Sequence, residues 1–123
     1  MKRILYVEDA RPQREIMKQM LELYGAYEVI IADHGQEGLD KARELHPDII
    51  LMDLRMPIMD GLKAIQELKK DPTVSDIPVI VISAWANKQN QEEAFKAGAL
   101  RFFEKPTNYN KLLATIRKTV GDD

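Results

Sequence analysis

The chain of 123 residues has no cysteine, which excludes disulfides, thiol nucleophiles and thiolate metal sites and agrees with a reducing cytoplasm. It has only two histidines, His34 and His46, which follow strand or helix ends and read as exposed loop residues, so a zinc site is not indicated. No apolar run approaches the roughly 20 residues that a membrane span needs. The start, Met1-Lys2-Arg3, is basic, but only about four apolar residues follow before Glu8-Asp9, too few for a signal peptide. There is no excess of positive charge either. The formal net charge of −2 leaves no basic footprint for direct nucleic-acid binding. Linkers, low-complexity tracts and internal repeats are lacking too. The expected organisation is one domain over residues 1–123, with no output domain after the last helical pattern. What is present suits a packed core: 45% of residues are apolar and 31% charged, and a chain of this length buries roughly two-thirds of its unfolded surface.

Five apolar runs alternate with five helical patterns. Ile4-Leu5-Tyr6-Val7 forms the first strand. Pro12 then sits where a first helical turn tolerates it, and Ile16, Met17, Met20, Leu21, Leu23 and Tyr24 mark one broad stripe that Gly25 stops. Residues 27–31 read as a second strand, and Leu39, Ala42 and Leu45 mark a helix ending before Pro47. The third strand spans 48–52; Asp60 caps a helix carrying Leu62, Ile65 and Leu68, which closes at Asp71-Pro72. Pro78 opens the fourth strand, and a polar helix from about Lys88 to Lys96 stops at Gly98. A fifth strand follows, and Asn108 caps a last helix with Leu112, Leu113, Ile116 and Val120.

Strict strand–helix alternation implies an α/β fold, a parallel sheet with helices on both faces. The third and fourth strands are almost wholly Ile, Val, Leu and Met, as central strands buried on both sides should be. The second and fifth carry Glu28, Arg101 and Glu104 and belong nearer the edges. Periodicity leaves the strand order open.

In an open parallel sheet the carboxyl ends of the strands line the ligand crevice. The first strand runs into Glu8-Asp9, the third into Asp53, the fourth into Ser83, and the fifth leads to Lys105-Pro106. Each residue has an ordinary reading as a cap, turn or solvated loop charge. Asp53, however, precedes seven loop residues, Leu54 to Asp60, rather than a helix. A carboxylate can act as a nucleophile toward phosphorus and form an acyl phosphate, a transfer that needs mainly in-line placement and charge neutralisation. Glu8 and Asp9 lie across from Asp53 if the first and third strands are neighbours. Carboxylates crowded in this way raise one another's pKa, and a hard cation relieves them. Mg²⁺ fits best, because it keeps waters and shares its shell with phosphate oxygens. Lys105 can reach a phosphoryl oxygen as a point charge, and Ser83 offers a hydroxyl donor. The Lys105-Pro106 bond can be cis or trans.

The acidic pair Glu8-Asp9, the run Asp53-Leu54-Arg55-Met56-Pro57-Ile58-Met59-Asp60-Gly61, Ser83-Ala84 and Lys105-Pro106, in this order and spacing, resemble the receiver domain of two-component response regulators over essentially the whole chain. The resemblance implies a flavodoxin-like three-layer sandwich with strand order 2-1-3-4-5, for which a chemotaxis receiver is a known example. It implies that Asp53 takes a phosphoryl group from a sensor histidine kinase or histidine phosphotransfer protein. Asp9, Asp53 and the Arg55 backbone carbonyl are then direct Mg²⁺ ligands, with Glu8 acting mostly through water. Lys105 pairs with Asp53 or its phosphate, and Ser83 moves to bond the phosphate. Phe102 matches the aromatic switch position, where many relatives have tyrosine, while Phe103, on the opposite sheet face by alternation, reads as core. The output face is helix four, strand five and helix five, meeting an unknown downstream protein. Family analogy sets Gln13, Ile16 and Gln19 of the first helix against a kinase. No catalysis beyond self-phosphorylation and autodephosphorylation at Asp53 is implied.

Arg55 and Trp85 match positions that flank the attacking water and tune phosphate lifetime in the family. Three readings of Trp85 stand: a barrier to water giving slow dephosphorylation, packing on neighbouring loop atoms, or a partner contact. Among other functions, an aspartyl-phosphate phosphatase wants a second aspartate two residues after the nucleophile, where this chain has Arg55. A nucleotide- or flavin-binding domain is excluded because the loop Glu8-Asp9-Ala10-Arg11-Pro12 is acidic and glycine-free. The remaining alternative is a receiver-like interaction module that is never phosphorylated.

Overall fold

The computed structural model describes residues 1–56 and 58–121. Pro57, within the loop motif quoted above, lies outside the described residues. The elements run β1 (Arg3–Val7), α1 (Arg11–Tyr24), β2 (Glu28–Ala32), α2 (Gly35–Leu45), β3 (Ile49–Met52), α3 (Gly61–Lys70), β4 (Val79–Ser83), α4 (Lys88–Ala97), β5 (Arg101–Glu104) and α5 (Tyr109–Val120). All strand pairs are parallel, and the sheet order is β2-β1-β3-β4-β5. The charged strands β2 and β5 are the edges. Every residue of β3 and β4 is buried, because helices cover both faces.

Strand alternation sorts the core into two layers. Leu5, Val7, Ile50, Met52, Val79 and Val81 meet Leu39 and Ala42 of α2, Ala64, Ile65 and Leu68 of α3, and Ala94 of α4. Ile4, Tyr6, Ile49, Leu51, Ile80 and Ile82 meet Met17, Met20 and Leu21 of α1 and Leu112 and Ile116 of α5. Phe102 packs half-buried on the first layer and Phe103 half-buried on the second, so the two rings do point to opposite faces.

Helix starts follow local chemistry. The side chains of Asp60 and Asn108 accept from the backbone N–H of Lys63 and Lys111, and Asn87 does the same for Asn90 at α4. His34 differs from its reading as an exposed loop residue. It is partly buried and N-caps α2, its Nδ1 accepting from Glu37 N at 3.2 Å, whereas His46 is exposed at the other end of that helix. The broad stripe on α1 also needs correction. Met17, Met20 and Leu21 are buried, but Ile16, Leu23 and Tyr24 are 55%, 76% and 75% exposed. The inner face is completed instead by Arg14, which is buried.

Gly61 lets α3 start against the end of β3. Its N–H donates to Leu54 O at 2.8 Å, and a Cβ there would sit 2.1 Å from Asp53 O. That neighbour is backbone and cannot swing aside. Gly61→Ala is therefore expected to lower stability by about 1–3 kcal/mol through overpacking, read in urea denaturation, and to move the Asp53 peptide.

Candidate functional site

The parallel register brings the strand ends together. Val7 pairs with Ala32 on one side and Met52 on the other, so the next residues, Glu8 and Asp53, emerge side by side. Glu8 N donates to Ala32 O at 3.0 Å and Asp53 N donates to Val7 O at 3.1 Å, which extends both ladders one step past the strands. On the far side Lys105 N donates to Ser83 O at 3.0 Å. The crossover order thus delivers Glu8, Asp9, Asp53, Ser83 and Lys105 to one edge of the sheet. They line a cleft of about 540 Å³ together with Gln13, Arg55, Met56 and Trp85.

Carboxylate oxygens of Glu8, Asp9 and Asp53 all lie within 4.8 Å of one another. Glu8 is 1% exposed and Asp53 6%, whereas Asp9 faces solvent. Lys105 reaches into the cluster. Its Nζ donates to Asp53 Oδ2 at 3.1 Å, to Gln13 Oε1 at 2.7 Å and to Glu8 Oε1. Glu8 is held further by the Tyr6 hydroxyl, which donates to Oε1 at 3.3 Å, and by Ala10 N, which donates to Oε2 at 3.3 Å. The Arg55 N–H lies 3.4 Å from Asp53 Oδ1. The Lys105-Pro106 bond is cis.

The electrostatics follow from burial and crowding. Burial lifts the Glu8 carboxyl from its ordinary 4.5 to about 7; the Lys105 hydrogen bond opposes this and neighbouring Asp53 reinforces it. Burial also pulls on the Lys105 ammonium, but its bond to Glu8 and the charges of Asp53 and Glu8 outweigh that and hold its pKa above the ordinary value. Tyr6, buried and facing Glu8, has its ionisation pushed far up, so its hydroxyl stays a donor. One ammonium therefore serves several acidic groups. The donor set is entirely oxygen, partly exposed to solvent at Asp9 and short of positive charge, which fits a hard divalent cation such as Mg²⁺. Neither histidine belongs to it.

Ser83 lines the cleft, its Oγ accepting from Trp85 N at 3.0 Å. Arg55 and Trp85 stack, the guanidinium carbon 4.2 Å from the ring centroid. Of the three readings of Trp85, packing on loop neighbours is thus present in the geometry. Phe102 does not line the cleft; it lies beneath it on the α4 side of the sheet. Gln13, set against a kinase by analogy, donates no charge but accepts from Lys105, and Tyr6 and Arg14 join the surroundings of Glu8 without having been singled out. Arg14 carried one faint signal, a charge spaced three and seven residues before Met17 and Leu21 on the buried face.

A family model described as response regulator receiver domain matches residues 4–117. The polar-differentiation response regulator DivK of Brucella ovis is 36% identical over 121 residues, covering 98% of each chain, and that of Brucella anthropi is likewise 36% identical. Among solved structures, a Vibrio cholerae chemotaxis protein is 27% identical with a TM-score of 0.88, covering 97% of this chain and 98% of its own. The receiver domain of a Pseudomonas aeruginosa sensor histidine kinase, solved with a magnesium ion coordinated in its active-site cleft, is 28% identical with a TM-score of 0.90, covering 98% of each chain.

Proposed function

The chain belongs to the response regulator receiver family, and we propose that it is a phosphorylatable switch whose acceptor is Asp53. The observation that carries this is the bridge of Lys105 between Asp53 and Glu8 beside three carboxylates whose oxygens lie within 4.8 Å of one another. Residues 1–123 act as one receiver unit. The donor is a sensor histidine kinase or histidine phosphotransfer protein, and the setting is the reducing cytoplasm that the lack of cysteine favours.

In the transfer, an Asp53 carboxylate oxygen attacks phosphorus in line, the new O–P bond forms as the bond to the donor nitrogen breaks, and the donor imidazole keeps the electron pair. Lys105 and the Arg55 N–H orient the two oxygens of the nucleophile. Asp9, Asp53 and the Arg55 carbonyl, with Glu8 through water, would hold Mg²⁺, which would supply charge neutralisation for the phosphoryl oxygens. Phosphorylation then adds about −1.5 to −2 charge and three acceptor oxygens at Asp53. Lys105 shifts its bonds to them, and the Ser83 hydroxyl turns from Trp85 N to donate to the phosphate. The space Ser83 leaves admits Phe102, which biases the face formed by α4, β5 and α5 toward a downstream protein. Intact-mass measurement after incubation with acetyl phosphate tests the chemistry. The expected result is one added phosphoryl group with Mg²⁺ and none with a chelator; equal labelling in both would remove the cation from the mechanism.

The Arg55–Trp85 stack gives phosphate lifetime a physical cause. Trp85 is 45% exposed and shares the cleft wall with Arg55 above Asp53. The pair narrows the approach of an attacking water, so the phosphorylated form is expected to last well beyond seconds. Trp85→Ala opens that approach and is expected to shorten the half-life several-fold, followed by intact mass after removal of acetyl phosphate. A half-life of seconds in the wild type, or no change in the variant, contradicts this.

A further inference from the structure

Against the Glu8 backbone, outside the cleft lining, lies a charge that the phosphoryl chemistry does not use. Arg14 is 7% exposed on the inner face of α1, where the helical pattern otherwise places methionine and leucine. Its NH1 donates to the backbone carbonyl of Glu8 at 3.3 Å and to Asp33 Oδ1. Its Nε is buried without an acceptor among the described residues. A buried guanidinium that forgoes one hydrogen bond is costly, and an apolar side chain would suit this helix face better. The two NH1 bonds are what distinguish arginine here.

Those bonds close a ring around one peptide. Glu8 N already donates to Ala32 O at the end of β2. In a continuing parallel ladder the next bond would bring a backbone N–H from the neighbouring strand to Glu8 O. The chain instead turns into α2, which starts at Gly35. The Arg14 guanidinium supplies the donor at Glu8 O and is tied back to Asp33, the residue after Ala32. The same segment then touches the Asp53 loop, because Gly35 N donates to Met59 O at 3.1 Å.

We propose that Arg14 is a positioning residue for the cation site: by clamping the Glu8 carbonyl to Asp33 it fixes the direction in which the Glu8 and Asp9 side chains leave the backbone. Asp33 also balances the guanidinium charge, so that the clamp does not repel a cation bound nearby. This rests on reading Glu8, Asp9 and Asp53 as the cation site, but not on phosphorylation.

The test is Mn²⁺ binding followed by electron paramagnetic resonance, with Mg²⁺ as competitor, on the full chain. Arg14→Met is expected to weaken cation binding by about tenfold or more, as loss of a group that orients metal ligands does. Arg14→Lys keeps the charge and enough donors for both acceptors but ends one bond short of where NH1 bonds Glu8 O and Asp33, so it should fall between Arg14→Met and wild type. Asp33→Asn should weaken binding through the uncompensated guanidinium, most at low salt. Ile116→Ala, which removes core volume from α5 on the sheet face that α1 also covers but touches none of the clamp's groups, should lower the melting temperature and leave cation affinity unchanged. Wild-type affinity in Arg14→Met, or an equal loss in Ile116→Ala, overturns the proposal. If Arg14→Met does not fold, Arg14→Gln decides, because its uncharged amide ends two bonds short of the NH1 position and cannot hold both acceptors: a folded variant with unchanged affinity overturns the proposal. A wild-type chain that binds neither cation would instead defeat the assignment of the carboxylates as a metal site.

Discussion

Asp53→Asn is expected to take up no phosphoryl group from acetyl phosphate under conditions that label the wild-type chain fully. Asparagine has nearly the shape of aspartate, and its amide oxygen can still accept from Lys105 Nζ, which lies 3.1 Å from Asp53 Oδ2. What it lacks is an anionic oxygen able to form an acyl phosphate. The variant also removes one of three clustered carboxylates, so cation binding should weaken as well. Folding should not suffer. Relief of repulsion with buried Glu8 should hold the melting temperature of the metal-free variant at or above that of the wild type. Labelling that persisted in the variant would place the acceptor elsewhere, and a large loss of stability would make the missing label uninformative about chemistry.

The second large effect is on stability and its pH dependence. Lys105 is the ammonium that pairs with both buried carboxylates. Lys105→Met leaves Glu8 and Asp53 without it, and breaking a buried pair by removing one partner typically costs about 3–5 kcal/mol. The Lys105 side chain is 17% exposed to the cleft, so the low end, about 3 kcal/mol at pH 8 without Mg²⁺, is expected. The sign with pH follows from Glu8. Its folded pKa of about 7 lies above the ordinary 4.5, so between these values the folded chain holds a proton that the unfolded chain has lost. This group's contribution is therefore fully present below about pH 4.5, declines as pH rises, and is lost above about 7. Without Lys105 the opposing influence on Glu8 disappears, its pKa climbs further, and the decline extends to higher pH. Urea denaturation should show a penalty for Lys105→Met that is much smaller at pH 5 than at pH 8. Mg²⁺ should restore part of it at pH 8, since a cation then supplies the missing charge. An equal penalty at both pH values contradicts this electrostatic origin.

The parts of the fold read from the chain are those that local chemistry determines. Asp60 and Asn108 cap their helices because a short oxygen-bearing side chain just before a helical run satisfies a free N–H. The nearly continuous apolar runs of β3 and β4 marked them as central. Strand order was different in kind: periodicity says nothing about neighbours, and 2-1-3-4-5 came from resemblance to the family. On α1, counting every apolar residue into one stripe overestimated the buried face. The helix presents only Met17, Met20 and Leu21 to the sheet, and Arg14 fills the rest.

At the site the same division holds. Glu8, Asp9, Asp53, Ser83 and Lys105 stood out because each ends or follows a strand, and parallel strands share a carboxyl edge. Their supports did not. Gln13 and Arg14 touch the site only because α1 packs against the sheet, a tertiary fact with no local signature, whereas Tyr6 reaches Glu8 from two residues back along its own strand. Tyr6 in particular looked like one more apolar residue of its strand, yet its hydroxyl meets Glu8. His34 looked like a loop residue because histidine is an uncommon cap, although its Nδ1 accepts as asparagine would.

The most direct measurement is the location of the phosphate itself. The chain would be labelled with acetyl phosphate and Mg²⁺, reduced with borohydride, which turns an aspartyl phosphate into homoserine, and digested for peptide mass spectrometry. The expected result is homoserine at position 53 alone, absent without Mg²⁺ and absent from Asp53→Asn. Homoserine at Asp9 or Asp60 instead, or an unmodified Asp53 in a chain that binds Mg²⁺ and is fully folded, would contradict Asp53 as the acceptor.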